Sequence, residues 1–293
     1  MKKYIVGMGE ALWDCLPEGR KIGGAPANFA YHAAQFGFKS LAISAIGNDA
    51  LGNEIEEEFN KKNLQYRLYH VEYPTGTVQV TLDKKGIPCY KIMEDVAWDN
   101  IPYTSELEEI AKNCKAVCFG SLAQRNVVSR ETILRFLDAM PDSDDTYKVF
   151  DINLRQHFYS KEIIVNSLNK SNILKINDEE LIIVSELFGY EGLSQEEACG
   201  RILAEYDLRM LILTCGTEGS YIITSEGTSF QPTPKVEVAD TVGAGDSFTG
   251  SFLASILKGR TIEDAHKCAV EVSAYVCTQN GAMPQLPEEL TKF

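Results

Sequence analysis

Asp240-Thr241-Val242-Gly243-Ala244-Gly245-Asp246 ends a β-like run and opens an amphipathic one. Beyond Asp246 the apolar residues Phe248, Phe252, Leu253, Ile256 and Leu257 recur at helical spacing, so Gly243 to Gly245 form the turn that feeds a helix N-terminus. Backbone N–H groups and the positive end of the helix dipole converge at such a turn, and glycine lets an anion approach the backbone closely. Asp246 adds a carboxylate to the first turn, which a resting phosphate site would not want facing its ligand. In one reading the anion is therefore transient: Asp246 takes the proton from an attacking hydroxyl while the turn stabilises a phosphoryl group in transfer. In the other, Asp246 is a helix N-cap, a role that suits aspartate equally well.

Working outward, 293 residues of which 44% are apolar can build one large α/β domain or two small ones. No apolar run approaches the ~20 residues that span a bilayer. Met1-Lys2-Lys3 leads straight into the strand-like Tyr4–Met8 without a cleavable signal, so a cytoplasmic protein is expected. The formal charge of −14 argues against a nucleic-acid or anionic-membrane partner, and a phosphate-rich ligand would need metal ions and local donors. The eight cysteines contain no C-x-x-C pair and the four histidines are scattered, which reads as buried thiols in a reducing compartment.

The first strand is followed by Gly9-Glu10-Ala11-Leu12, where a dinucleotide fingerprint would need its third glycine at Leu12; a nicotinamide-dependent dehydrogenase is disfavoured on that ground. Asp14 reads from spacing as a solvated loop acid. Gly23-Gly24-Ala25-Pro26-Ala27-Asn28 launches an Ala-rich helix that stops at Gly37, and two glycines before a helix followed by an amide suit a hydroxyl-rich ligand lying against backbone. Between Tyr66 and Ile92 the pattern turns to strict alternation, with Thr77–Leu82, a turn at Lys84-Lys85-Gly86 and a return over Ile87–Ile92, which predicts an antiparallel hairpin inserted in an α/β chain. From Ser105 helices and strands alternate, giving a parallel sheet with helices on both faces; Tyr221–Thr224, Thr228–Gln231 and Val236–Val238 are expected as a late antiparallel edge.

Ligands of open parallel sheets bind beyond the carboxyl ends of the strands. Those ends carry Gly120-Ser121, Asn153-Leu154-Arg155, Asn177-Asp178-Glu179-Glu180, Thr214-Cys215-Gly216 and Asp240-Thr241, which implies one polar cleft. Asn177 with Glu180 three residues on is a capping box, or a carboxylate that orders Mg²⁺-bound water around a triphosphate. Arg155 can clamp a phosphoryl oxygen or a sugar hydroxyl. There is no G-x-x-x-x-G-K-[ST], so the chain is not a P-loop enzyme.

Three motifs in this order give the chain a resemblance to the ribokinase-like (PfkB) carbohydrate kinases over essentially its whole length. Gly23-Gly24-Ala25-Pro26-Ala27-Asn28-Phe29-Ala30, continuing to Gly37 and Gly47, resembles their N-terminal signature; Asp240 to Asp246 resembles the C-terminal one, and Asn177-x-x-Glu180 the internal magnesium-linked motif. The resemblance implies one kinase domain over 1–293, with a central, mostly parallel sheet and a small β lid formed mainly by about 66–92 and the 10–22 segment. It implies Asp246 as the base with Gly243, Ala244 and Gly245 as the anion hole, and Asp14, Gly24, Asn28 and Arg155 on the sugar. Asn177, Thr214, Gly216, Gly219 and Gly245 fall on the nucleotide, and Glu180 reaches the metal through Mg²⁺-bound water. ATP is the implied co-substrate, with two copies pairing through the lid.

Three positions depart from the family pattern. Ser251 replaces Gly or Ala, Val270 stands where many relatives place Asn or His against adenine, and Gln285 replaces a small hydroxyl residue near the monovalent-cation loop, which counts against K⁺ activation. Gly9-Glu10-Ala11-Leu12-Trp13-Asp14, Phe119-Gly120-Ser121-Leu122 and Asp151-Ile152-Asn153-Leu154-Arg155 are most similar to the bacterial fructokinase branch. The expected reaction is therefore phosphorylation of D-fructose at its primary 6-hydroxyl. Ribose, 2-keto-3-deoxygluconate and a non-catalytic sugar-binding regulator stay open as alternatives.

Overall fold

Short apolar runs that are buried on both faces have nowhere to go but the inside of a sheet, and Ser40–Gly47, buried at every position, is the extreme case. The computed structural model describes residues 4–16, 19–82 and 88–292, so the turn expected at Lys84-Lys85-Gly86 lies outside the described residues. The strands are β1 (Tyr4–Met8), β2 (Leu12–Leu16), β3 (Gly19–Gly23), β4 (Ser40–Gly47), β5 (Gln65–Val71), β6 (Gly76–Leu82), β7 (Pro88–Ile92), β8 (Cys114–Phe119), β9 (Tyr147–Asp151), β10 (Ile173–Asn177), β11 (Met210–Cys215), β12 (Gly219–Ile223) and β13 (Thr228–Gln231). The helices are α1 (Ala25–Gln35), α2 (Ala50–Lys61), α3 (Ser105–Lys112), α4 (Val127–Ala139), α5 (Lys161–Leu168), α6 (Asp178–Phe188), α7 (Gln195–Glu205), α8 (Ala244–Leu257), α9 (Ile262–Cys277) and α10 (Glu288–Thr291).

Nine strands form one sheet in the order β13-β12-β11-β10-β9-β8-β1-β4-β5. Pairing is parallel from β11 through β5, and β12 and β13 add antiparallel. Successive side chains of a strand point to opposite faces, so Val6 and Met8 join one core layer and Ile5 the other. The first layer packs α3 to α7 through residues such as Leu107, Phe136, Ile164, Leu181 and Ile202, while the second packs α1, α2, α8 and α9 through Phe29, Phe59, Phe252 and Ala269. Truncating a fully buried ring such as Phe136 or Phe252 to alanine costs about 3–5 kcal/mol. Among the described residues no helix is long and apolar enough to cross a membrane.

A second sheet runs β3-β2-β6-β7, with β2 parallel to β6 and the other pairs antiparallel. Two boundaries differ from the sequence reading. Residues 65–71, expected in the small sheet, form the edge strand of the large one, in parallel register with β4 from Leu41↔Gln65 to Gly47↔Val71. A parallel edge strand covered on one face alternates like a hairpin strand, which is why Gln65–Val71 misleads. Val236–Val238 alternates as well but forms no strand; both valines are exposed on a segment that lines the cavity described next.

Candidate active site

The carboxyl ends of the parallel strands open into a cavity of about 1270 Å³, walled on one side by Leu12, Val78 and Ile92 of the small sheet. Every residue singled out for a role in the sequence borders it: Asp14, Gly24, Asn28, Arg155, Asn177, Glu180, Thr214, Gly216, Gly219 and the turn Gly243-Ala244-Gly245-Asp246.

The N-cap of α8 is Gly243 (φ 80°), and no side chain caps this helix. A Cβ at that position would also lie 2.7 Å from the Ala282 side chain, so glycine is required twice over. Ser247 donates the first i→i−4 bond, to the Gly243 carbonyl at 2.8 Å, and Ala244 N–H turns to the Thr241 carbonyl at 3.3 Å. The amides of Gly245 and Asp246 precede that first helical bond and belong to the helix start, where an anion is favoured. The N-cap reading of Asp246 is thereby excluded: its Oδ2 instead accepts a hydrogen bond from Asn28 Nδ2 of α1 at 2.8 Å.

Asp246 keeps some surface toward the cavity but is otherwise enclosed, and this burial, reinforced by the Asp151 carboxylate, pushes its carboxyl up to about 6 against the pull of Asn28, Lys175 and Arg155. Directly beneath lies the buried ion pair of Lys175 and Asp151 at 3.2 Å. Lys175 Nζ would sit 3.0 Å from a Cβ on residue 245, so Gly245 also makes room for this ammonium. Burial alone would lower the Lys175 pKa, but the surrounding carboxylates of Asp151, Glu180 and Asp246 outweigh it and raise it. Neither Lys175 nor Asp151 was singled out for a role in the sequence. The signal was there: an ionisable residue inside an apolar parallel strand, as in Ile173-Leu174-Lys175-Ile176, must be paired.

Glu180 behaves otherwise. Asn177 Oδ1 accepts from Glu180 N at 2.8 Å while Glu180 Oε2 accepts from Asn177 N at 3.0 Å, a closed capping box on α6. Its Oε1 accepts from Leu154 N at 2.9 Å. Each oxygen thus holds one amide and keeps lone-pair capacity toward the cavity. Among the described residues no group of three His, Cys, Asp or Glu could hold a metal directly, so the donor set suits an ion carried by phosphates and water.

Asp14 lies on β2 rather than in a loop, and burial raises its pKa against Arg155 and Lys21. Gly23 and Gly24 keep the wall beside it bare: a Cβ on Gly23 would lie 2.7 Å from Asp14 Oδ2, and one on Gly24 (φ 125°) 2.4 Å from the Glu10 carbonyl. Arg155 is exposed at the rim, in a segment where Asn153 and Gln156 both have positive φ, and Gln156 Nε2 donates to Tyr90 O of β7 at 2.7 Å, tying this loop to the small sheet. The same cavity is lined by Thr214, Gly216 and Gly219 and by the apolar side chains of Val236, Val238, Val270, Ala274 and Cys277.

A cleft at the strand ends of an α/β sheet, with an uncapped helix start beside a buried carboxylate, is an arrangement that phosphoryl transfer can use. The chain belongs to the pfkB family of carbohydrate kinases, whose model matches residues 18–289. It is similar to an ATP-dependent 6-phosphofructokinase of Thermoanaerobacterium thermosaccharolyticum, 28% identical over 98% of this chain and 92% of that one. A fructokinase of Salmonella typhimurium is also 28% identical, covering 96% and 95%. Among solved structures, a sugar kinase of Pyrococcus horikoshii superposes with a TM-score of 0.81 at 29% identity, over 99% and 97% of the two chains. The ribokinase-like α/β fold expected from the signatures is the fold found.

Proposed function

We propose that the protein transfers the γ-phosphoryl group of ATP to a primary hydroxyl of a ketose, D-fructose giving fructose 6-phosphate. The observation that carries this reading is Asp246, a carboxylate withheld from capping, held at about 6 and set beside the open amides of its own helix start. As the hydroxyl oxygen forms its bond to the γ-phosphorus and the bond to the β-phosphate oxygen breaks, the hydroxyl proton passes to Asp246 and ADP leaves. The amides of Gly245 and Asp246 face the phosphoryl oxygens, with Gly243 and Ala244 shaping the turn. Asp14, Gly24, Asn28 and Arg155 orient the sugar. Asn177, Thr214, Gly216 and Gly219 take the nucleotide, its base against the apolar wall that includes Val270.

Magnesium fits this arrangement through phosphate oxygens and water, with Glu180 and its neighbours Asp178 and Glu179 accepting from that water; bound there it would neutralise charge on the phosphates. The small sheet acts as a lid over the acceptor, keeping water from the phosphoryl group. Two copies pairing over that sheet and residence in the cytoplasm complete the proposal; sedimentation velocity and cell fractionation test these two parts.

The deciding experiment is an ADP-release assay with MgATP against fructose, ribose, glucose, 2-keto-3-deoxygluconate and adenosine, with and without K⁺. Fructose well above the others is the expected result. Another winner overturns the sugar, and silence across the panel favours a sugar-binding regulator.

A further inference from the structure

Glu10 lies two residues past the end of β1, and β1 and β8 are the neighbours at which the strand order of the large sheet reverses, the place where open α/β sheets take ligands. The side chain is 4% exposed and borders the cavity, yet its Oε2 has no hydrogen-bond partner among the described residues. The backbone amides of Glu10 and Ala25 act on the carboxylate to lower its pKa, and no side chain is bonded to Oε2 among the described residues. A buried acceptor left unpaired is costly, and a ligand hydroxyl recovers that loss. Asn28 Oδ1, also buried and unpartnered, borders the same cavity, so the acceptor end offers two unused oxygens from two different elements.

The charges around this pocket favour the negative sign. Glu10, Asp14 and Asp246 supply three carboxyl groups; Arg155, exposed at the rim, acts on all three, Lys21 on Asp14 and Lys175, itself paired with Asp151, on Asp246. We propose that Glu10 is a specificity-determining residue of the acceptor pocket: its unpaired oxygen takes a hydroxyl of an uncharged polyol and, beside Asp14 and Asp246, turns away acceptors that already carry a phosphate or carboxylate. This rests on the sugar-kinase reading. Burial already pushes Glu10 up to about 7 and Asp246 up to about 6, so the pocket holds its own negative charge with difficulty and another anion meets it with little screening.

The test is calorimetric binding of fructose, ribose, fructose 6-phosphate and 2-keto-3-deoxygluconate, without nucleotide, to the wild type, Glu10→Gln and Glu10→Ala, beside steady-state kinetics on the same panel. The wild type is expected to bind its preferred neutral sugar at least 30-fold more tightly than either anionic one. Glu10→Ala weakens that sugar at least tenfold and raises KM more than it lowers kcat. Glu10→Gln, whose amide oxygen still accepts a hydroxyl, keeps most of the neutral affinity and binds the anionic sugars at least threefold more tightly than the wild type does. A wild type that prefers an anionic sugar or binds none, or variants that leave neutral affinity within twofold, overturns the proposal. Binding that shifts as expected while no sugar is phosphorylated breaks the kinase reading and leaves Glu10 its role; turnover that is insensitive to Glu10 does the reverse.

Discussion

Asp246 and Glu180 are both the third residue of a helix that starts at the cleft, α8 and α6, and they spend their carboxylates differently. On α6 the cap is Asn177, and Glu180 returns to the Asn177 amide and braces Leu154 N as well. On α8 the cap is a glycine with nothing to donate or accept from a side chain, so Asp246 is released from its own helix and faces Asn28 and the cavity. Burial raises the pKa of both. What ties one acid to its helix and frees the other is the residue three places earlier.

The comparison breaks most sharply at Asp246→Asn. Turnover is expected to fall at least 10³-fold with sugar and ATP affinity within about threefold, read by single-turnover kinetics and calorimetry. Near-normal turnover would remove the base from the mechanism. Next, Glu180→Ala opens the α6 cap and strips an acceptor from Leu154 N, costing about 1–3 kcal/mol in urea unfolding, and it lowers kcat/KM for MgATP about tenfold to a hundredfold. Glu180→Gln, whose single amide oxygen can still accept from one of the two backbone N–H groups, separates the two losses: stability returns in part and the MgATP defect stays.

The third expectation concerns pH. With the base titrating at about 6, log kcat/KM for the sugar falls with unit slope below that pH, roughly a hundredfold by pH 4. Lys175→Met removes a cation that holds the Asp246 pKa down, so this limb moves to higher pH. The smallest effect is on the unliganded fold. A carboxyl whose pKa is raised on folding contributes stability at low pH and loses it as pH climbs from about 4 through the raised value. Asp246→Asn is therefore expected to be more stable than the wild type at pH 8, by about 1–3 kcal/mol, with the difference gone near pH 4.

Much of this is written locally in the chain. A glycine turn before helical spacing fixes where α8 starts, and Asn177-x-x-Glu180 spells a cap that the structure closes. What the sequence hides depends on partners far along the chain. Asp14 looks like a loop acid because β2 is held by β3 and β6 rather than by any pattern within Leu12–Leu16. Glu10 reads as one position of a failed fingerprint until the strand order places it at the sheet's reversal. Whether Asp246 caps a helix cannot be decided from the seven residues around it, since the answer is Asn28, 218 residues away.

That separation bears on how the molecule is made. The oxygen of Asp246 and the amide of Asn28 meet only after most of the chain has emerged from the ribosome, with α1 waiting for α8 while every strand of the large sheet but β1 is laid down between them. Long loops close slowly, and contacts this distant in sequence are among the last a folding chain acquires. A partly synthesised copy that ends before α8 therefore lacks the Asn28–Asp246 contact, whatever sheet it has already formed.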